Sequence, residues 1–363
     1  MKVDVAVVGA GVVGLFTAYT LAERLGYSVA VLEREKAPGL GVTARSANVI
    51  HVLQPPFNSL KSRLCLRGNA LYRRLAGELG FRVIETRAIL ATTKRSMKPV
   101  AWVAARLLRR ILPPEHRVMY ASGREVRDIE PEASDSVEAG VVVEGYGVVD
   151  HRELVGALAR RVRRSAELLL GAEVKSIDAS REGAVLHTAA DKVEARAVVN
   201  AAGLYADEVA RLAGDPFYEV KPLKGVMSIH DGPKLRAILA PLELSRKETK
   251  GGGAIPQTDG SLLLGPNNAG YASSKVDEAY SQADLGWLRR RFQPLLSSGI
   301  PEPKRVIVGL RPTVEKRDFI IEWSRRGAPV IHLVGIESPG LTAAPAIAEV
   351  VAEMLRQRLP PSR

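Results

Sequence analysis

The feature that most constrains the fold lies at the start of the chain, where a glycine-rich turn separates two strand-like segments. Residues 2–8 (KVDVAVV) are apolar and β-branched, as in a buried parallel strand, and GAGVVG follows directly. The next residues (VVGLFTAYTLAERLG) have helical composition, and a second strand, SVAVLE, ends at Glu33, which can accept hydrogen bonds from ribose hydroxyls. This order of elements predicts a dinucleotide-binding unit.

The residues of this unit have separate physical roles. Gly9 permits the tight turn, Gly11 lets a pyrophosphate approach the backbone, and Gly14 permits close packing of the helix on the strand. The helix begins at Val12 and Val13, and its free N–H groups would face the phosphates. The unit by itself does not distinguish NAD from FAD.

Composition limits the classes of protein that the chain can belong to. It has 363 residues, enough for two domains, and 46% of them are apolar. No apolar segment has transmembrane length and no signal peptide is evident, so a cytoplasmic location is expected. Cys65 is the only cysteine, which excludes a disulfide framework and a cysteine-based metal site. The net charge is +12, but the sequence contains no nucleic-acid-binding motif, so a nucleic-acid partner is not expected. The abundance of arginine suggests a thermophilic source.

Two further segments belong to the same nucleotide-binding architecture. VEARAVVNAAGLY, at 193–205, is a strand that ends in Asn-Ala-Ala-Gly, and GIESPGLTAAPAIAEVV, at 335–351, is a turn that leads into an apolar helix. An NAD-only dehydrogenase usually completes its dinucleotide domain in one continuous block. Three separated pieces therefore predict a discontinuous cofactor domain with other material inserted.

Several stretches together carry a resemblance to a known family: VVGAGVVGL, VVNAAGLYADEVA, DGSLLLGPN, GLRPTVEKRDFIIE and HLVGIESPGLTAAPAIAEVV. The chain resembles the D-amino-acid-oxidase-type FAD-dependent oxidoreductases. The branch it is most similar to is the FAD-dependent glycerol-3-phosphate dehydrogenases, and the L-2-hydroxyglutarate dehydrogenases are a neighbouring branch. The resemblance implies FAD as cofactor and a C-terminal helix whose N-terminus points at the flavin. Backbone groups near Gly335, Ile336, Gly340, Leu341 and Thr342 would hold the flavin and its ribityl chain.

The resemblance also implies the division of the chain into domains. The expected fold class is α/β, with a discontinuous Rossmann-type FAD-binding domain and an inserted α+β substrate domain whose sheet is mixed or antiparallel. The FAD-binding domain would comprise residues 1–85, 146–212 and 308–363, and the substrate domain residues 86–145 and 213–307.

A polar loop, REKAPGLGVTARSANVIH, follows Glu33 and contains enough glycine to wrap a cofactor. By resemblance, Arg34 would lie over the adenine or pair with phosphate, and Thr43, Arg45 and Ser46 would bond phosphate or ribityl oxygens. From the sequence alone these residues would form a surface loop. The resemblance assigns further cofactor contacts to Ala44, Val174, Ala202, Gly203 and Gly309.

His51 is the candidate general base. In the resembling families a histidine here lies near flavin and substrate, where it takes the hydroxyl proton while hydride passes to flavin N5. The alternative is a packed structural histidine. The related pattern is Asn-Ser-Gly-Val-Ile-His, whereas this chain has Ala47 in place of the serine and Asn48 in place of the glycine. One hydrogen bond to substrate or flavin is therefore expected to be missing or moved.

Three more residues match active-site positions of the family. Arg311, in GLRP, would hold the anionic group of the substrate, because a planar guanidinium suits carboxylate and phosphate alike. Lys250 matches a lysine of the glycerol-3-phosphate branch, and Ser338 matches an active-site serine. The alternatives are a salt-bridged surface arginine, a solvated hairpin lysine, and a serine that caps the last helix.

The segment 98–112, KPVAWVAARLLRRIL, predicts an amphipathic helix. Its apolar side either packs on the sheet of its own domain or, with the basic residues beside it, lies on an anionic bilayer. The apolar side comprises Val100, Val103, Leu107, Leu108, Ile111 and Leu112, and the other side comprises Lys98, Arg106, Arg109 and Arg110, which flank Trp102.

The expected function is oxidation of a small anionic secondary alcohol by hydride transfer to flavin, with sn-glycerol 3-phosphate and dihydroxyacetone phosphate as substrate and product. Three alternatives stay open: oxidation of L-2-hydroxyglutarate or a similar 2-hydroxy acid, oxidation of a small amine or amino acid, and a flavin-carrying electron-transfer subunit of a larger complex. The electron acceptor would be a quinone, oxygen or a partner protein. Peripheral contact with the inner face of the membrane is a further open alternative, and no nucleic-acid partner is expected.

Overall fold

A computed structural model describes residues 1–242 and 252–361. In chain order its strands are β1 (Lys2–Val8), β2 (Val29–Glu33), β3 (Val49–Ile50), β4 (Val83–Thr92), β5 (Val118–Ser122), β6 (Ala139–Val149), β7 (Glu167–Leu170), β8 (Ser176–Ala179), β9 (Ala184–His187), β10 (Lys192–Asn200), β11 (Lys221–His230), β12 (Ile238–Pro241), β13 (Gly253–Pro256), β14 (Leu262–Gly265), β15 (Arg305–Thr313), β16 (Ile320–Trp323) and β17 (Val330–Val334).

The helices are α1 (Val12–Tyr19), α2 (Leu60–Leu79), α3 (Lys98–Ile111), α4 (Gly123–Ile129), α5 (His151–Ser165), α6 (Ala206–Leu212), α7 (Gln282–Phe292) and α8 (Gly340–Arg358). A π-helical turn, Thr20–Arg24, extends α1. Among the helices of the described residues, none combines the length and apolarity that are needed to cross a lipid bilayer.

The first sheet contains the glycine-rich unit at its centre. Its strand order is β16-β17-β10-β1-β2-β7, and the β8–β9 hairpin joins it by pairing with β10. β1 runs parallel to both β2 and β10, and β10 runs parallel to β17. Val5 and Val7 pack against α1, α2, α5 and α8 on one face, whereas Ala6 and Val8 pack against the β8–β9 hairpin and α6 on the other. Burial on both faces explains why β1 is apolar throughout.

The second sheet has the strand order β15-β11-β14-β13-β12-β4-β6-β3, with β5 paired to β6. β4 and β12 run parallel and the other pairs are antiparallel, so the sheet is mixed. The expected α/β architecture with a second, mixed sheet is confirmed. The division at 85, 145, 212 and 307 stays a prediction. β4, β6 and β15 each extend across one of these positions, and β3 joins the second sheet from within the first predicted segment.

The parallel centre of the first sheet brings three distant turns to one edge. Gly9 follows β1, Ala201 follows β10 and Gly335 follows β17, and these strands are immediate neighbours with matching direction. The carboxyl edge of a parallel sheet is where α/β proteins bind ligands. Segments that are more than 100 residues apart in the sequence therefore meet in one place.

Candidate active site

A large cleft opens at this edge and has a volume of about 1720 Å³. The turns after β1, β10 and β17 line one side of it, and β11, β12 and β15 of the second sheet line the other. Sites for drug-sized molecules usually have about 300–1,000 Å³. The cleft therefore has room for a dinucleotide together with a small substrate.

The glycine turn has the backbone geometry that the sequence predicted. Gly9 has φ +104°, and a Cβ there would lie 2.6 Å from the carbonyl oxygen of Ala201. A Cβ on Gly14 would lie 1.9 Å from the carbonyl oxygen of Gly9, which explains the requirement for glycine where α1 packs on its own turn. Gly11 lines the cleft. Gly9, Gly11 and Gly14 add no side chains of their own to this turn, which leaves its backbone accessible from the cleft at Gly9 and Gly11.

Glu33 supports the glycine turn through its carboxylate. Oε2 accepts a hydrogen bond from the backbone N–H of Ala10 at 2.7 Å, and Oε1 accepts one from Glu35 at 3.0 Å. Thr43 has a comparable role, because its Oγ1 accepts from the backbone N–H of Val12 at 3.1 Å and caps α1. Both residues line the cleft, and their predicted bonds to ribose and phosphate stay predictions.

The cations predicted for the adenine and phosphate region contact protein groups. Arg34 places its guanidinium carbon 3.9 Å from the centre of the Tyr205 ring. The Nη2 atom of Arg45 lies 2.5 Å from a carboxylate oxygen of Glu278. Glu278 belongs to residues 273–280, here called the strap. The strap lies within the connection between β14 and α7 and reaches the side of the cleft that the first sheet forms.

Lys275 fastens the strap to α6. Its Nζ lies 2.6 Å from Asp207 and 2.7 Å from Glu208, and 5.3 Å from the centre of the Tyr205 ring. Sequence reasoning missed the strap, because a polar segment with no periodicity gives no signal of what it covers.

His51 lies in the cleft directly after β3. Its backbone N–H donates to Thr342 Oγ1 at 3.0 Å, and its carbonyl accepts from Asn69 at 3.0 Å, so the main chain is held from both sides. The ring meets Tyr146 edge-on, with 6.0 Å between ring centres, and within the described residues neither ring nitrogen has a hydrogen-bond partner. Burial lowers the pKa of His51 to about 4, so the imidazole is neutral at physiological pH.

Arg311 lines the same cleft from β15 and is only 9% exposed. Its Nε donates to the carbonyl of Leu223 at 3.4 Å and its Nη2 to the carbonyl of Lys224 at 3.2 Å, which fixes the plane of the guanidinium. Within the described residues Nη1 has no hydrogen-bond acceptor. Burial lowers the pKa of Arg311 and the carboxylate of Glu337 counteracts that effect, but a guanidinium still stays protonated.

Sequence reasoning also missed a buried ion pair in the wall of the cleft. Lys61 Nζ lies 3.2 Å from Glu337 Oε1 and also donates to the carbonyl of Arg317, and Thr313 Oγ1 donates to Glu337 Oε2 at 3.2 Å. The pair ties the start of α2 to the turn before α8. Each partner is an isolated charged residue in the sequence and the two are 276 positions apart, so no local pattern could reveal the pair.

Asn48 explains the departure from the family pattern. Its φ is +63°, a left-handed conformation that glycine adopts most easily and that asparagine tolerates. Its Oδ1 accepts from Ser46 at 3.2 Å and lies 3.0 Å from His151 Nδ1, while its Nδ2 donates to Gln257 at 3.0 Å. The side-chain amide of Asn48 is thus bound by Ser46, His151 and Gln257.

The predicted site residues divide into three groups. Lys250 lies outside the described residues. A second group does not line the cleft but lies behind its wall: Gly14, Ala44, Gly335 and Thr342, of which Thr342 is fully buried. The N-cap of α8 has no side-chain hydrogen bond, so Ser338 does not cap that helix. The remaining predicted residues line the cleft: Gly9, Gly11, Val12, Val13, Glu33, Arg34, Thr43, Arg45, Ser46, His51, Val174, Ala202, Gly203, Gly309, Arg311, Ile336, Ser338, Gly340 and Leu341.

Comparison with known proteins agrees with this geometry. The sequence profile of the family described as FAD dependent oxidoreductase (DAO) matches residues 4–354. The chain belongs to the FAD-dependent oxidoreductase family. It is therefore an enzyme whose cofactor is FAD, and the open glycine turn, the start of α1 and the size of the cleft fit that cofactor.

Individual relatives narrow the type of oxidoreductase. The chain is similar to a glycerol 3-phosphate dehydrogenase from Caloramator mitchellensis, with 28% identity over 97% of this chain and 74% of the relative. It is 26% identical to an L-2-hydroxyglutarate dehydrogenase from Escherichia coli K12, over 83% of this chain and 74% of the relative. The enzyme is thus an FAD-dependent oxidoreductase of the type that these two groups represent.

Solved structures share the fold. The FAD-bound, dithionite-reduced L-α-glycerophosphate oxidase from Mycoplasma pneumoniae superimposes with a TM-score of 0.89 at 22% identity, covering 100% of this chain and 97% of that one. Glycine oxidase from Geobacillus kaustophilus gives a TM-score of 0.83 at 24% identity, over 98% and 95% of the two chains. Proteins that act on alcohols and on amines thus share this architecture.

Proposed function

We propose that the enzyme oxidises sn-glycerol 3-phosphate to dihydroxyacetone phosphate. The observation that carries the proposal is Arg311, a nearly buried cation whose Nη1 edge has no protein acceptor among the described residues. The nearby carboxylate of Glu337 is bound by Lys61 and Thr313, and a planar guanidinium can bind a phosphate in a bidentate manner. The similarity to a glycerol 3-phosphate dehydrogenase supports phosphate as that anion.

The chemistry needs one proton acceptor and one hydride acceptor. When bound, FAD supplies the hydride acceptor. His51 is the proposed proton acceptor, because its neutral ring lies in the same cleft as Arg311 and both of its nitrogens lack a hydrogen-bond partner within the described residues. A ring nitrogen of His51 would take the hydroxyl proton of the substrate as the carbinol C–H bond breaks. Arg311 would hold the phosphate and so orient that C–H bond.

A 2-hydroxy acid such as L-2-hydroxyglutarate is the second candidate substrate. The guanidinium of Arg311 suits a carboxylate as well as a phosphate, and the similarity to an L-2-hydroxyglutarate dehydrogenase supports it. Lys316 and Arg317 also line the cleft and would attract either dianion, so a direct comparison of the two substrates is needed. We propose that the electrons then pass to a quinone, to oxygen or to a partner protein, and that the enzyme works at the cytoplasmic face of the membrane.

Anaerobic flavin bleaching tests the substrate. The FAD-loaded enzyme is mixed in a stopped-flow instrument with sn-glycerol 3-phosphate, L-2-hydroxyglutarate, glycine or L-proline, and absorbance of the oxidised flavin is followed. The fastest bleaching is expected with sn-glycerol 3-phosphate. Faster bleaching by the hydroxy acid or by an amine would replace the proposed substrate, and a flavin that none of the four bleaches would favour an electron-transfer subunit.

A further inference from the structure

The outer face of α3 carries large apolar side chains that no part of the described structure covers. Trp102 and Leu107 are each 51% exposed, Val103 is 47% exposed and Ile111 is 48% exposed. Val103, Leu107 and Ile111 are spaced four residues apart and so form one continuous stripe along the helix. We use the name outer face for these four residues together with Arg106 and Arg110.

The inner face of α3 docks the helix on its own sheet by means of small residues. Ala101 and Ala105 are buried, as is Leu112 just after the helix, and they pack in one cluster with Val118 of β5 and Val141 of β6. The sequence alternative in which the large apolar residues pack on the sheet therefore holds for Leu112 and partly for Leu108, but not for the stripe. The stripe is not needed to attach α3 to the domain.

The charged residues of the outer face, Arg106 and Arg110, have one sign, and Lys98 at the start of α3 is paired with Glu138. Residues 94–112 contain six lysines and arginines and no acidic residue. Arg106 lies over the Trp102 ring, with 5.3 Å between its guanidinium carbon and the ring centre, and Arg110 is exposed beside it. Arg109, in contrast, donates to the carbonyl of Val118 at 3.0 Å and is tied to the sheet. Exposed arginines thus flank the apolar stripe.

An apolar stripe with a tryptophan and flanking arginines is complementary to one kind of surface, an anionic lipid bilayer. Apolar side chains enter the boundary between headgroups and acyl chains, tryptophan favours that boundary, and arginines pair with lipid phosphates. Each basic residue near such a surface strengthens binding by about fivefold. We propose that the outer face of α3 docks this enzyme on an anionic membrane.

Docking through α3 would bring the cleft close to the bilayer. Ala88, Leu90, Met227 and Ile238 line the cleft and belong to the same apolar cluster as Ala101 and Ala105. The docking helix and the cleft therefore share one sheet, and a lipid-soluble electron acceptor would reach the flavin over a short path. This consequence rests on the proposed oxidation and its electron acceptor, whereas binding to the membrane can be measured without substrate.

Vesicle sedimentation tests the proposal. The FAD-loaded enzyme is centrifuged with vesicles of phosphatidylcholine alone or of phosphatidylcholine mixed with phosphatidylglycerol. We expect binding to the anionic vesicles that weakens as salt is raised, and little binding to the neutral ones. Two variants should bind at least tenfold more weakly to the anionic vesicles: R106Q/R110Q, which removes the flanking charge, and V103S/L107S/I111S, which removes the stripe.

The matched control is R163Q/R164Q, which removes two adjacent exposed arginines near the end of α5. It should bind like the parent, because α5 offers no apolar stripe there. Trp102 gives a second readout, since its fluorescence should shift to the blue on anionic vesicles and W102F should lack that shift. Absence of binding by the parent, or equal losses in the α3 and α5 variants, overturns the proposal. A dimer that dissociates in V103S/L107S/I111S would also overturn it, by showing that a second copy covers the stripe.

Discussion

The crossing of α2 and α8 allows a sharp test of how packing supports the active site. A Cβ on Gly68 would lie 2.0 Å from the carbonyl oxygen of Thr342 and 3.0 Å from the Cα of Ala343. Real Cβ contacts are not shorter than 3.0 Å, so Gly68→Ala must push the first turn of α8 away by about 1 Å. That turn carries Leu341 into the cleft and places Thr342 against the backbone of His51.

The cost can be estimated from two opposing effects. Overpacking against a rigid backbone costs up to about 3 kcal/mol. Alanine in place of glycine inside a helix returns about 1 kcal/mol. Gly68→Ala should therefore lower the free energy of unfolding by about 2 kcal/mol, which for a chain of this size lowers Tm by roughly 3 °C. A shift of about 1 Å near the reacting groups can also slow catalysis by up to about 100-fold.

The same helix offers a matched control. Gly77 is exposed in α2, and a Cβ there would meet nothing within 4 Å. Gly77→Ala should raise the free energy of unfolding by about 1 kcal/mol through helix propensity and leave the rate of flavin bleaching unchanged. Thermal unfolding and stopped-flow bleaching of both variants are the assays. If Gly68→Ala is as stable and as active as Gly77→Ala, the close crossing does not support the site as described.

Three further predictions concern the cleft itself. Because burial lowers the pKa of His51 to about 4, protonation removes the base only below that pH. The rate of flavin bleaching should therefore rise with pH around 4 and stay level above pH 6. In His51→Ala the rate should fall by about 10²–10⁴-fold. Arg311→Ala should reduce kcat/KM by about 30- to 150-fold while FAD remains bound, and Arg311→Lys should lose less. Lys275→Met removes the ion pairs that attach the strap to Asp207 and Glu208. Because the strap lines the cleft, we expect the variant to lose FAD faster than the parent during gel filtration at low salt. An unchanged rate of FAD release would mean that the strap does not retain FAD.

Features that depend on backbone geometry could be predicted from the sequence. Gly9 and Gly14 have to be glycine because their Cβ positions are filled by backbone atoms, and a spacing that such contacts impose can be recognised without a structure. The three-piece organisation of the first sheet was predictable because each piece is a strand that leads into a glycine-bearing turn, and Gly9, Gly203 and Gly335 all have positive φ. The helix at 98–112 was predicted almost to its ends because its periodicity is strong.

Features that depend on partners distant in the sequence could not be predicted. Lys61 and Glu337 form a buried pair that requires α2 and the turn before α8 to meet, and neither residue carries a local signal. The strap is recognisable only through contacts such as that between Lys275 and α6. The sequence also could not reveal that Glu33 supports the glycine turn. A glutamate at the end of a strand gives the same sequence pattern whether its carboxylate binds the backbone or a ribose.

The position of β10 between β1 and β17 has a consequence for how the protein is made. β1 has as its neighbour a strand completed about 190 residues later, and α1 packs against α8, which is synthesised more than 300 residues after α1. The apolar β1–α1 segment therefore stays incompletely covered until β10 and α8 have both been synthesised. Such non-local pairing folds slowly and leaves the nascent chain open to aggregation. This enzyme should depend on chaperones during synthesis more than a protein of its size whose nucleotide-binding domain is built from one continuous segment.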